Sequence, residues 1–134
     1  MTIFGAIGVA GTGLTVMRKW MDAISDNIAN ANTVRSTDEA AFQQRYVIAQ
    51  EVTGPAGGQG VQVGGILLGD PEGRLRYEPD HPMADADGNV RYPDIDMSSQ
   101  MTQLIMAQRS YQANAAVVDR AREAYQAALA IGRS

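Results

Sequence analysis

Cysteine is absent from this chain, which excludes disulfides, thiolate metal sites and a cysteine nucleophile together and leaves any redox compartment open. Aromatics are scarce, at 6% against 45% apolar residues overall. Large aromatic side chains dominate compact cores, so the 134 residues point to thin helix–helix seams filled by Ala and Met instead of one large centre. A basic face is missing as well. The net charge of −4 comes from an acidic middle, residues 36–100, between nearly neutral ends. Nucleic-acid binding needs clustered Lys and Arg to meet phosphates, so that function class is set aside. The first seventeen residues lack a secretory signal's leading basic region, because Arg18 and Lys19 follow the apolar run instead of preceding it. The run also falls short of the ~20 apolar residues of a membrane span and is broken by Thr2, Thr12 and Thr15. No membrane insertion is expected, and any exit from the cytoplasm would need a route without a cleaved signal.

What the chain does contain is heptad patterning at both ends. Ile3, Ile7, Ala10, Leu14, Met17, Met21, Ile24, Ile28 and Ala31 follow alternating spacings of four and three, all apolar. The spacing predicts a helix about 45 Å long. Gly5, Gly8, Gly11 and Gly13 weaken its start, each by about 1 kcal/mol relative to Ala, so this end is expected to become fully ordered on assembly. The counterpart is Met97, Met101, Leu104, Gln108, Tyr111, Ala115, Val118, Arg122, Tyr125 and Leu129, broadened by Ile105, Ala107 and Ala121. Ser98 or Ser99 is the expected N-cap and Gly132 the expected stop. The fold class is therefore mainly α. Two long terminal helices pair as an antiparallel, coiled-coil-like layer, with a small β-hairpin or extended insert between them. The division is 1–34, 35–94 and 95–134.

Between the helices, residues 42–52 read as a strand ending in the loop 53–58, and Val61 to Leu68 as a second. Residues 74–77 give a short third. Pro79, Pro82 and Pro93 follow, and proline cannot donate to a ladder, so residues 78–94 are expected to be mainly extended loop.

No catalytic constellation emerges. The one histidine, His81, lies in Asp80-His81-Pro82 within this proline-rich run, where a hydrogen-bonded or solvated role outweighs that of a base. Asp85-Ala86-Asp87-Gly88-Asn89 begins like a calcium loop, but Val90 stands where Gly is required and Asp96 where Glu is. A tight turn explains it better. The glycines of residues 5–13 fit neither phosphate-loop spacing, and no strand precedes them. No cofactor, no metal and no enzymatic activity are expected.

Asn27-Ile28-Ala29-Asn30-Ala31-Asn32-Thr33 resembles the N-terminal motif shared by bacterial flagellar axial proteins: rod, hook and associated subunits. In the second half, Tyr77-Glu78-Pro79, His81-Pro82-Met83-Ala84-Asp85, Asp87-Gly88-Asn89-Val90, Pro93-Asp94-Ile95-Asp96 and Arg109-Ser110-Tyr111-Gln112-Ala113-Asn114 resemble the proximal rod proteins of the basal body. A sister proximal rod protein lacks the run from Tyr77 to Asp85. The likeness covers nearly the whole chain and is weakest over 36–68. Two departures stand out: Asp94 where Asn is more usual, and Gln100 where Glu commonly precedes Met101.

The resemblance implies a structural rod subunit of the basal body, crossing the periplasm after export by the flagellar type III apparatus. Its terminal helices would surround a central export channel and transmit torque. Implied partners are copies of itself, the sister proximal rod protein, distal rod proteins and the adaptor between rod and export gate. The assembly residues would be Ile3, Ile7, Leu14, Met17, Met21, Ile24 and Ile28 on the first helix and Met97, Met101, Leu104, Tyr111, Val118, Tyr125 and Leu129 on the second. Asn27, Ala29, Asn30, Asn32 and Thr33 form the axial motif, in which the Asn side chains would bond freed carbonyls or neighbouring chains and permit left-handed backbone. Tyr77, Pro79, His81, Pro82, Asp85, Gly88, Pro93, Ser110 and Asn114 form the remaining motif. A coiled-coil adaptor or a filament subunit of another secretion-type assembly is the alternative.

Overall fold

The computed structural model describes residues 2–55 and 57–133. Its elements in chain order are α1 (Ile3–Asn30), β1 (Arg45–Gly54), β2 (Gly57–Leu68), β3 (Arg74–Tyr77), β4 (Asn89–Tyr92) and α2 (Met97–Gly132). The two helices run antiparallel. Phe4 meets Tyr125 edge to face at 5.3 Å, Gly13 abuts Asn114, and Asn27 bonds Gln100. Through these three contacts residue numbers rise along α1 and fall along α2.

Local chemistry sets the helix ends. Thr2 caps α1, its Oγ1 accepting from the Gly5 N–H at 3.1 Å. At α2 the cap is Asp96, whose carboxylate accepts from the N–H groups of Ser98 and Ser99. The expectation of a serine cap is corrected. Ser98 and Ser99 are the donors, and a carboxylate at this position also answers the positive end of the helix dipole. Gly132 is the last helical residue instead of the stop, and Arg133 follows in right-handed conformation. At 36 residues, α2 outruns the 28 of α1 by roughly 12 Å.

Antiparallel β1 and β2 form a hairpin packed against α1. It is longer at its tip than the sequence indicates. Gly54 pairs with Gly57, so the expected loop 53–58 is mostly strand, while Phe42 to Gln44 lie outside β1. Two register shifts, at Ile48/Ala49 and Val52/Thr53, accommodate the glycine-rich partner strand. The second sheet corrects the loop expected over 78–94: Asn89–Tyr92 pairs with Arg74–Tyr77. None of the three prolines falls inside β4. Pro79 and Pro82 lie in its approach and Pro93 just beyond it, so the ladder keeps its donors.

Most of the best-buried residues gather where the end of α1, the insert and the start of α2 converge: Ala23, Ile24, Asn27, Ala31, Ala41, Val90, Pro93, Ile95 and Gln100, while Ala10, Val16 and Ala107 are buried along the helical pair. Toward the other end of the helical pair, burial falls away, and every residue from 122 to 133 is exposed.

Candidate assembly site

Asn27 is the centre of the convergence. Its side chain is 1% exposed. Oδ1 accepts from the Arg45 N–H at 2.8 Å, and Nδ2 donates to the Arg45 carbonyl at 3.0 Å and to Gln100 Oε1 at 3.0 Å. One carboxamide thereby pairs with a strand residue as a neighbouring strand would, and also ties both helices together. The Arg45 backbone fixes which end of the amide is the oxygen, and this in turn fixes the Gln100 amide. Gln100 Nε2 is left buried with no hydrogen-bond partner among the described residues. Outside the junction, the Arg45 guanidinium pairs with the Asp26 carboxylate and lies over the Phe42 ring.

The other asparagines act locally. Asn30 Nδ2 donates to the Asp26 carbonyl, and its Oδ1 accepts from Thr33 Oγ1. Ala29 and Asn32 are exposed. No described residue other than glycine has positive φ, so the left-handed geometry expected at these asparagines is corrected: α1 simply unwinds through a turn at 31–32.

Of the first heptad stripe, Ile24 is buried, Ile7, Leu14, Met17, Met21 and Ile28 are half-buried, and Ile3 is exposed. On α2, Met97, Leu104, Tyr111 and Val118 are half-buried, whereas Met101, Tyr125 and Leu129 are 46%, 39% and 49% exposed. The side of α2 buried within the chain is turned from the stripe read in sequence. It is marked by Gln100 and Ala107, with Gln108 and Arg122 exposed. Ser110 and Asn114 are half-buried, and Asn114 Nδ2 donates to the Ser110 carbonyl.

The second-half motif builds the insert's base. Asp85 Oδ1 accepts from the N–H groups of Asp87 and Asn89, both at 2.9 Å, and Oδ2 from Thr37 Oγ1 at 2.9 Å. The backbone hydrogen bond from Asn89 leads in holding this carboxyl below its ordinary value, against desolvation, with Thr37, Asp87 and Gly88 assisting. Gly88 completes the turn at φ +79°, where a Cβ would stand 2.7 Å from the Tyr77 ring and 3.1 Å from Pro79. His81 Nδ1 accepts from the Met83 N–H at 3.1 Å, and Pro82 is exposed beside it. The Pro93 carbonyl accepts from the Arg74 guanidinium, which also meets Asp94 at 3.6 Å. Thr37 and Arg91 were not singled out by sequence. Arg91 joins the stretch after α1 to the second sheet, its backbone pairing with Arg35 and its guanidinium donating to the Thr37 carbonyl. Among the described residues, no three His, Cys, Asp or Glu side chains cluster to hold a metal. No described helix is long and apolar enough to cross a membrane.

These elements coincide with the regions that known proteins share. Residues 7–35 match the family described as flagella basal body rod protein, and 86–131 the C-terminal family of the flagellar basal body rod FlgEFG proteins. The flagellar basal-body rod protein FlgC of Borreliella burgdorferi is 35% identical, over 98% of both chains. The chain belongs to the FlgC family. FlgC proteins of Salmonella typhi and Bacillus subtilis are each 30% identical, over 99% of this chain and all of theirs. Family membership makes this FlgC-type chain a structural subunit of the flagellar basal-body rod. The matched regions include Asn27 and Gln100, the two side chains of the helix–helix junction, but not Arg45, whose contribution is backbone.

Proposed function

We propose that this subunit builds the proximal part of the rod, with 1–34 and 95–134 as one assembly domain and 35–94 as its lateral insert. The observation that carries the reading is the antiparallel pair, closed at one end by the Asn27–Gln100 junction while Phe4, Met101, Ile105 and Leu129 remain 46–66% exposed. Apolar side chains left outward along both helices of one pair suit packing among several neighbouring pairs. In this reading the heptad residues named above, the half-buried Ile7, Leu14 and Met21 among them, complete their burial against other rod proteins. The helical layer surrounds the export channel and transmits torque. The subunit reaches the periplasm through the type III apparatus, and the glycine-weakened start of α1, helical from Ile3 in the folded chain, is secured there by its neighbours.

Deleting the gene should abolish motility and rod formation, and restoring it should recover both. A deletion strain that swims would sink the proposal. His81→Ala should leave motility intact, since the imidazole only accepts a hydrogen bond from the backbone of its own turn. Loss of a measurable turnover on that substitution would restore an enzymatic reading.

A further inference from the structure

The two edges of the second sheet are finished differently. In an antiparallel ladder the N–H and C=O of one residue point to the same side of its strand, and successive residues alternate. Arg91 exchanges both of its backbone bonds with Arg35, each at 2.9 Å. Asn89 spends its N–H and C=O on Asp85, again at 2.9 Å each. The outer edge of β4 is thereby closed. Val90 and Tyr92 point the other way, toward Arg76 and Arg74 of β3. Leu75 and Tyr77, which stand opposite Arg91 and Asn89, therefore turn their N–H and C=O groups outward, and no hydrogen bond among the described residues reaches those four groups. Their side chains are 60% and 69% exposed.

Arg74 and Arg76 occupy the other face of β3. A cavity of about 220 Å³ opens between them and Asn32, in the turn after α1, with Tyr92 as a wall. Small-molecule pockets begin at about 300 Å³, so this one suits a single side chain better than a free ligand. Each arginine already meets an acid through Nε: Arg74 lies 3.6 Å from Asp94 and Arg76 3.1 Å from Glu78. Arg74 also reaches the Pro93 and Ile95 carbonyls through Nε and Nη2. Among the described residues, Nη1 of Arg74 and both terminal nitrogens of Arg76 donate to none. The outer fork of Arg76 is open to a carboxylate.

We propose that the free edge of β3 receives an extended segment of another protein as an added antiparallel strand, one that alternates apolar and acidic residues. Its main chain pairs with Leu75 and Tyr77, its apolar side chains lie beside theirs, and an acidic side chain enters the cavity against Arg76 and Arg74. A second copy is the wrong occupant. β3 paired with itself in the register that joins Leu75 to Tyr77 would set Arg76 directly opposite Arg76, and like charges so placed are destabilising. An acidic strand reverses that sign. The site belongs to the insert, apart from the apolar stripes of α1 and α2, and stands whether or not those helices assemble as a rod.

The test is an NMR titration of the full chain with a short capped peptide of alternating Val and Glu. Saturable shifts should appear at the Leu75 and Tyr77 amides, and hydrogen exchange there should slow. Arg76→Glu should weaken binding about tenfold or more and transfer the preference to a Val–Lys peptide. Leu75→Pro should abolish binding and keep the β3–β4 ladder, since the Leu75 N–H serves no bond in the sheet. Methylated peptides give the same reading without altering the protein. In an antiparallel strand the valines opposite Leu75 and Tyr77 point their N–H groups at β3, so N-methylation of the valines should abolish binding and N-methylation of the glutamates should not. Absence of a saturable shift with the Val–Glu peptide, or equal binding of the Val–Lys peptide, overturns the inference. Tolerance of methylated valines does so too, because it means charge attraction without strand pairing. A self-dimer seen by sedimentation and dissolved by Leu75→Pro would make a second copy the occupant and overturn it as well.

Discussion

Replacing Asn27 by leucine and Gln100 by methionine should have unequal costs, although the two residues share a hydrogen bond. Each substitution roughly preserves side-chain shape. Asn27→Leu removes three hydrogen bonds and strands the Arg45 N–H, the Arg45 carbonyl and Gln100 Oε1. At a net ~1 kcal/mol per bond, with a larger penalty for the fully buried Gln100 acceptor, the loss comes to about 3 kcal/mol. Gln100→Met removes one of these bonds and strands one Asn27 N–H. It also removes Nε2, a buried donor without a partner. One stranded donor replaces another, so the expected cost is about 1 kcal/mol or less. Urea titration followed by circular dichroism, with linear extrapolation, gives both values. Amide exchange at Arg45 provides a local check, since Asn27→Leu should expose that N–H to exchange while Gln100→Met should not. Equal costs within about 0.5 kcal/mol, or undiminished Arg45 protection in Asn27→Leu, would refute the assignment of Asn27 as the junction's organiser.

Three further substitutions probe the insert and α2. Gly88→Ala should destabilise by about 2 kcal/mol in the same titration, since left-handed backbone and a close approach to the Tyr77 ring both oppose a Cβ. Asp96→Ala should cost about 1 kcal/mol by removal of the cap of α2, whereas Ser98→Ala and Ser99→Ala should be nearly silent; the reverse order would restore a serine cap. Asp85 carries the pH dependence. Its folded value is depressed, so its contribution is fully present above the unfolded value near 3.9 and is lost as pH falls through the lower folded value. The stability gap between the native chain and Asp85→Asn should therefore be widest near neutrality and shrink below about pH 4. A gap that widens on acidification contradicts the sign.

The helices were legible because a four-three apolar spacing admits little else over four heptads. Which side of each helix turns inward was not. Apolar counting marks every greasy stripe alike, while the close contacts inside this chain fall on Gly13, Asn27, Gln100 and Asn114, which such counting ignores. The motif singled out Asn27, whereas Gln100 stood out only as a departure from the more usual Glu. Their shared partner is the backbone of Arg45, and a backbone amide has no residue-type signature. Proline density hid β4, since proline forbids pairing only at its own nitrogen and the strand of Asn89–Tyr92 lies between those positions. Asp96 was overlooked as a cap because two serines follow it, although an aspartate directly before a helix fills that role as well.

The hairpin is fastened to α1 at two places. Val61 donates its N–H to Thr12 Oγ1 at 3.1 Å, and Arg45 is held by Asn27. The anchors are fifteen residues apart, or roughly 22 Å along the helix. Fixed at both points, a two-stranded ribbon stiffens the span beneath it as a splint stiffens a limb, because bending α1 there must also shear the β1–β2 ladder. The segment from Ile3 to Gly11 lies beyond the splint and contains three of the four early glycines. A load applied along the subunit would concentrate flexure in that first stretch, while the middle of α1 and the junction at Asn27 move as one stiff body.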